Sequence, residues 1–200
     1  MLKVGVTGNI GTGKSTVCKI FETLGIPVFY ADDESKNILA NDPSVHSELR
    51  KIFGEEIFSD GIPDRKKIAE IVFRDRSKLE QLNALLHPAV IQKSEDWFKN
   101  LNEAAYAIKE AALIYEVGGE RLLDKVIVVS SPEEISIRRI MQRDHVSEDE
   151  VKSRMKNQWP QKLKEDIADF IIKNDDEHLL IPQVMDIHRQ LLLLAEKVPA

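Results

Sequence analysis

Short apolar runs alternate along this chain with stretches whose apolar residues recur every three to four positions. That is the pattern of strands joined by helices. Leu2-Lys3-Val4-Gly5-Val6-Thr7 reads as a first strand, and Val17, Ile20, Phe21 and Leu24 then fall at helical spacing. Gly25-Ile26-Pro27 stops that helix, and Val28-Phe29-Tyr30-Ala31 is a second strand ending at Asp32-Asp33. A helix follows through Leu39, and another spans 43–53. Ser59-Asp60-Gly61-Ile62-Pro63 is turn chemistry. Asp64 is placed to cap a helix carrying Ile68, Ile71, Val72 and Phe73. The next helix covers 77–86, with Leu79, Leu82 and Leu86 on one face; Pro88 interrupts the pattern, and a further helix runs to about residue 101. The stretch 37–103 is therefore expected to be nearly all helix, without a clear strand, inserted between the second and third strands of a sheet.

Strand character resumes over 106–114. Lys125-Val126-Ile127-Val128-Val129-Ser130 is a near-continuous β-branched run, as a parallel strand covered on both faces requires. Pro132 with Glu133 and Glu134 opens a helix, the acids lying near its positive end. Ser147 and Glu150 have the spacing of a capping box. Phe170-Ile171-Ile172 is a last strand, and a helix over 177–197 closes the chain. The expected architecture is α/β: a three-layer parallel sheet core (1–36, 104–136 and 166–200), a helical insertion (37–103) and a helical segment (137–165).

Gly8-Asn9-Ile10-Gly11-Thr12-Gly13-Lys14-Ser15 lies between the first strand and the first helix. It fits G-x-x-x-x-G-K-[ST], the phosphate-binding loop. Glycines let the backbone turn its N–H groups inward onto phosphate oxygens, and the helix N-terminus adds to the anion affinity. Gly11, Thr12, Gly13, Lys14, Ser15 and Thr16 are the candidate ATP-binding residues. Lys14 would meet the β- and γ-phosphates, and the Ser15 hydroxyl would reach Mg²⁺, which favours hard oxygen ligands. Such a loop serves phosphoryl transfer, mechanical work and signalling alike. In an open parallel sheet, ligands gather at the carboxyl ends of the strands. Asp32 is thereby expected on the same rim, as a base for an acceptor hydroxyl or as a helix cap. Glu110, at the polar step within the third strand, is either an acid holding a metal-bound water or a surface-facing strand end.

The chain has 200 residues, enough for one domain, with 42% hydrophobic and 31% charged residues. A formal net charge of −6 argues against nucleic acid as the main partner. Cys18, the single cysteine, excludes an internal disulfide framework and reads as a small core residue. No apolar run approaches the ~18 residues of a membrane span. The first strand leaves no room for a cleaved signal. A cytoplasmic enzyme, monomeric or weakly associating, is expected.

Within this acidic chain Arg138, Arg139, Arg143, Arg154, Lys156, Lys162 and Lys164 form a local basic excess. It is either a solvated helix face or a mobile lid whose cations neutralise a moving phosphoryl group. Arg143 is the first choice for the essential cation. Arg65 stands at a helix start, where a cation is unfavourable by dipole arguments, and so points to an anionic acceptor.

The series GNIGTGKST, GIPVFYADD, Leu86-His87-Pro88, Ala112-Leu113-Ile114-Tyr115-Glu116, Ile140-Met141-Gln142-Arg143-Asp144, Asn157-Gln158 and Ala168-Asp169-Phe170-Ile171-Ile172-Lys173-Asn174 resembles the dephospho-CoA kinase family in order and spacing. The resemblance implies a P-loop core of nucleotide-kinase type, a coenzyme-A-side helical domain and a lid. It also implies γ-phosphoryl transfer from ATP to the ribose 3′-hydroxyl of dephospho-CoA, the last step of coenzyme A synthesis. By the same resemblance Asp32 is catalytic, His87 lies on the acceptor side, and the loop holding Asn174 lies near the adenine of ATP, with Arg139 among the nucleotide-binding residues. The family's usual Asp-Ala-Asp is Tyr30-Ala31-Asp32 here, its usual proline is Ala112, and its usual Asp-Asn is Lys173-Asn174. Two other readings share the loop: a kinase for another small acceptor, and a GTP switch, for which no N-K-x-D is present.

Overall fold

The computed structural model describes residues 1–101 and 104–197. Its elements begin with β1 (Leu2–Thr7), α1 (Lys14–Thr23), β2 (Val28–Tyr30), α2 (Ala31–Asn41) and α3 (Pro43–Phe53). Then come β3 (Phe58–Ser59), β4 (Ile62–Pro63), α4 (Arg65–Arg74) and α5 (Arg76–Lys99). The remainder is β5 (Tyr106–Glu110), β6 (Lys125–Ser130), α6 (Glu133–Asp144), α7 (Glu148–Met155), α8 (Gln161–Ile167), β7 (Phe170–Lys173) and α9 (Leu180–Ala195).

Five parallel strands form one sheet in the order β2-β5-β1-β6-β7. From β1 the chain leaves through α1 toward β2, while β6 and β7 lie on the other side. The loop after β1 thus occupies a switch point at the carboxyl rim, where open α/β sheets bind ligands. Alternate residues of β6 serve opposite faces. Ile127 and Val129 join Val4, Val6, Val17, Phe21, Ile108, Ile172, Val184 and Leu191 in the larger core, built with α1 and α9. Val126 and Val128 join Tyr115 in a smaller cluster. Tyr106 is fully buried yet satisfied, its hydroxyl 2.6 Å from Nδ1 of His188. The half-buried His188 is therefore a packing partner of the core.

The chain divides into two compact units, Met1–Tyr30 with Leu101–Ala200, and Ala31–Asn100. The helical unit begins earlier than the expected residue 37, because Ala31 opens α2 and does not extend β2. Asp32, Asp33 and Glu34 occupy the first turn of α2, a favourable place for acids. Two further expectations about this unit need correction. Its turn at Asp60-Gly61 joins a real, if minimal, antiparallel hairpin, with Phe58 opposite Pro63 and both turn residues at positive φ. Pro88 does not break the helix: α5 runs through it. Leu82, Leu86, Val90, Ser94 and Phe98, spaced by four, form its buried stripe, and α5 packs on α2, α3 and α4. Packing along that stripe offsets the ~3 kcal/mol a helical proline costs.

In the sheet unit β5 stops at Glu110, and the apolar Ile114 and Tyr115 are buried within turns and not in a strand. The last helix starts at Leu180, later than expected, because the Asp175 carboxylate accepts the N–H groups of Glu177 (3.1 Å) and His178 (2.9 Å) in a turn of its own.

Candidate active site at the phosphate loop

Residues 8–13 leave β1 and enter α1 through three glycines at positive φ, Gly8 (146°), Gly11 (86°) and Gly13 (91°). All three are forced by close approach as well: a Cβ on Gly8 would overlap the Val129 carbonyl of β6. A Cβ on Gly11 would stand 2.6 Å from the Ser136 carbonyl of α6, and one on Gly13 would overlap the Asn174 amide. Gly13 is the N-cap of α1 in the left-handed conformation, with no side chain capping the helix. An N-terminus of that kind offers its amides to an anion. The buried Thr12 shapes the loop by donating its hydroxyl to Asn9 O at 2.9 Å. The Lys14 ammonium folds back over the loop to Gly8 O (3.0 Å) and Asn9 O (3.4 Å). Ser15 and Thr16 follow on the exposed side of the first turn.

Arg139 and Asn174, far apart in sequence, meet at this loop. Asn174 donates Nδ2 to Thr12 O at 2.8 Å and its backbone N–H to Ser130 O at 2.7 Å. Arg139 donates to the Asn174 carbonyl (3.1 Å), to Asn174 Oδ1 (3.3 Å) and to Asp176 (2.6 Å). Arg143 lies one turn further along α6 and turns elsewhere, gripping Asp144 with two bonds of 2.7 and 3.1 Å. Asp144 also accepts from Arg154 at 2.8 Å, and its carboxyl is held below the usual carboxylate range, first by the Arg143 hydrogen bond.

Glu110 is buried, not a surface-facing strand end. Its register partners are Val6 in β1 and Tyr30 in β2, which puts it on the rim beside the loop's own strand. Burial first, then the Glu110 charge, pushes the Cys18 thiol up, while Lys14 acts on it in the opposite sense. Lys14, Cys18 and Glu110 thus share one electrostatic neighbourhood. Cys18 is inert there, as a buried thiol should be. Tyr30, in place of an acid, is also pushed up, by burial, by Cys18 and by Glu22.

Three predicted residues belong to the helical unit. Asp32 is exposed in the first turn of α2, two residues beyond Tyr30. Its neighbour Asp33 pairs with Lys36. Arg65 is the exposed first residue of α4, whose cap Asp64 accepts from Lys66 N at 2.9 Å. His87 is half-buried inside the continuous α5, so it sits at no helix junction; burial lowers its pKa.

The dephospho-CoA kinase family model matches residues 2–179. The chain belongs to the dephospho-CoA kinase family. A dephospho-CoA kinase of Chlorobaculum tepidum is 38% identical, covering 98% of this chain and 97% of that protein. One of Aquifex aeolicus is 40% identical, covering 87% and 89%. Among solved structures, a Thermus thermophilus protein superposes with a TM-score of 0.81 at 30% identity, covering 99% of this chain and 98% of that one. The Campylobacter jejuni dephospho-CoA kinase gives 0.70 at 29%, covering 96% and 97%. Shikimate kinase of Acinetobacter baumannii, at 15% identity and a TM-score of 0.54, shares the fold.

Three side chains near the loop have roles that the sequence did not show: Gln161 was not singled out, Gln158 stood in a motif without a role, and Lys164 stood among the basic residues. Gln158 and Gln161 reach the loop amides, and Lys164 is not a lid cation at all. It is fully buried, 2.7 Å from Glu116 and 3.3 Å from Ala112 O. A lysine with no solvent access must be paired, and Glu116, the acid that closes the Ala112–Glu116 motif, was the available signal. A cavity of about 440 Å³ lies against Asn9 and Thr12, walled by Ser136, Lys152, Lys156 and the two glutamines.

Proposed function

We propose that this chain transfers the γ-phosphoryl group of ATP to the ribose 3′-hydroxyl of dephospho-CoA, giving coenzyme A and ADP, in the cytoplasm. The observation that carries the reading is the family match over 2–179, with the Thr12–Asn174–Arg139 network standing at the phosphate loop. In this reading the loop amides and Lys14 hold the triphosphate, and Lys14 leaves its loop carbonyls for phosphate oxygens. Phosphoryl transfer is largely dissociative, so positioning and charge neutralisation supply most of the catalysis. Asp32 orients the acceptor hydroxyl and takes its proton late. Arg65 and His87 serve the acceptor, the former through its charge.

The donor set fits Mg²⁺: the Ser15 hydroxyl and the Glu110 carboxylate are hard oxygens. Bound there, the ion supplies charge neutralisation at the phosphates. The segment 137–165 acts as a lid whose Arg143 answers charge that grows on the transferring group.

The test is ADP release in a coupled assay, with dephospho-CoA beside nucleoside monophosphates as acceptors and ATP beside GTP as donors. ATP-dependent turnover confined to dephospho-CoA is the expected result. Turnover confined to a nucleoside monophosphate, or a GTP preference, overturns the reading.

A further inference from the structure

We infer that Gln158 and Gln161 are positioning residues of the reaction, setting the phosphate loop from the root of the 137–165 segment. The inference rests on the kinase reading above and extends it to side chains that touch neither substrate.

The geometry is specific. Gln158 Oε1 accepts the Ile10 N–H at 2.8 Å, and Gln161 Oε1 accepts the Asn9 N–H at 3.2 Å. Each amide group is held from its other end. Gln158 Nε2 donates to Ala112 O, just past β5, at 3.5 Å; Gln161 Nε2 donates to Val129 O in β6 at 3.4 Å and to Glu165 at 3.3 Å. A third bond runs from Asn9 Nδ2 to Trp159 O at 3.2 Å. The two glutamines therefore bridge the fixed sheet rim to the first two amides after Gly8.

Their own backbone is anchored beneath them. Trp159 N donates to Glu116 at 2.8 Å, and Glu116 in turn pairs with the buried Lys164. The Trp159 ring stacks on Tyr115 with 6.4 Å between centroids. Residues 158–164 thus form a fixed root, and the mobile part of the lid lies before Gln158.

Two consequences follow for the loop. The amides of Asn9 and Ile10 are satisfied by protein, so they are not the ones that cradle phosphate. Their fixed position also sets where Gly11 to Ser15 point. Removing an acceptor leaves a half-buried amide unsatisfied and lets the loop relax away from its phosphate-binding curvature.

The experiment uses the full chain carrying Gln158→Met, Gln161→Met or both, which keep side-chain length and remove the amide. ADP affinity is measured by calorimetry, steady-state constants are measured for ATP and for dephospho-CoA, and melting confirms folding. Each single variant is expected to weaken ADP and lower the ATP kcat/KM about tenfold, the effect of one hydrogen bond of ~1.4 kcal/mol. The dephospho-CoA KM at saturating ATP should stay within about twofold. ADP affinity within twofold of the parent in the double variant overturns the inference. So does an equal loss in the ATP and dephospho-CoA constants, the mark of general structural damage. If the parent protein fails to phosphorylate dephospho-CoA, the kinase reading falls, while the ADP titration still decides the role of the glutamines.

Discussion

Lys164→Met tests how firmly the root beneath the phosphate loop is held. Lys164 has no solvent exposure and the Glu116 side chain has 10%, with 2.7 Å between charged atoms. Burial alone lowers the lysine's pKa, and the Glu116 hydrogen bond and charge work against that shift. Truncating one partner of a buried pair typically costs ~3–5 kcal/mol, because the other charge is left buried. Glu116 would keep its hydrogen bond from Trp159 N, and its Oε2 is buried without a partner already, so the lower figure of ~3 kcal/mol applies. For a chain of this length that corresponds to a fall of roughly 6–12 °C in Tm. Urea unfolding followed by fluorescence can be made local: Trp159 lies in the sheet unit and Trp97 in the helical one, so a Trp97→Phe background reports the former. Adding Glu116→Leu to Lys164→Met should recover most of the loss, since a matched apolar pair avoids desolvating two charges. A single variant that costs less than about 1 kcal/mol, or a double variant no better than the single, refutes the reasoning.

Lys14→Ala should lower kcat by about 100-fold or more at unchanged Tm, because in the proposed reading the ammonium serves phosphates and contributes little to the core; retention of a tenth of parental kcat in steady-state assays would sink the assignment. Asp32→Asn should lower kcat far more than it weakens ATP binding in a parallel titration, and the reverse pattern would move Asp32 to nucleotide binding. Arg143→Ala should cut kcat about tenfold or more with a smaller change in dephospho-CoA affinity. Hydrogen exchange over 138–157, equal with and without a bisubstrate analogue, would leave Arg143 on a static face.

Where local chemistry decides the outcome, the sequence was legible. The phosphate loop, the strands 2–7 and 125–130, the cap Asp64 and the box at Ser147 each carry their cause within a few residues. Reading failed where a distant partner decides. Pro88 lies inside a helix because packing along the Leu82 to Phe98 stripe outweighs a local rule. Ala31 joins α2 although it closes an apolar run, since three acids after it favour a helix start. Lys164 looked like one more cation in a basic run, yet its environment is set by Glu116, 48 positions away by the difference of their numbers. Gln158 stood in the Asn157-Gln158 motif without a role and Gln161 in none, so only the approach of residues 9 and 10 to residues 158 and 161 reveals what they do.

In the proposed reading, a chain of net charge −6 receives a polyphosphate. The arginines of α6 and α7 are already engaged by carboxylates: Arg138 and Arg139 by Asp176, Arg143 and Arg154 by Asp144. These pairs are partly exposed, so each contributes only ~0–1 kcal/mol and is readily exchanged. Their main effect is geometric: they hold long cationic side chains in one arrangement, which in the proposed reading reduces the rotamer entropy to be lost on binding. A triphosphate offers a guanidinium stronger, bidentate acceptors than an exposed carboxylate does. In the proposed reading, the exchange of Arg143 from Asp144 to phosphate is therefore favourable when a phosphoryl group arrives and unfavourable when it does not. If Arg143 serves a lid as proposed, Asp144 keeps it parked without trapping it, and Asp144→Ala should raise hydrogen exchange over 138–157 while leaving the loop, fixed through Asn174 and the two glutamines, as protected as in the parent.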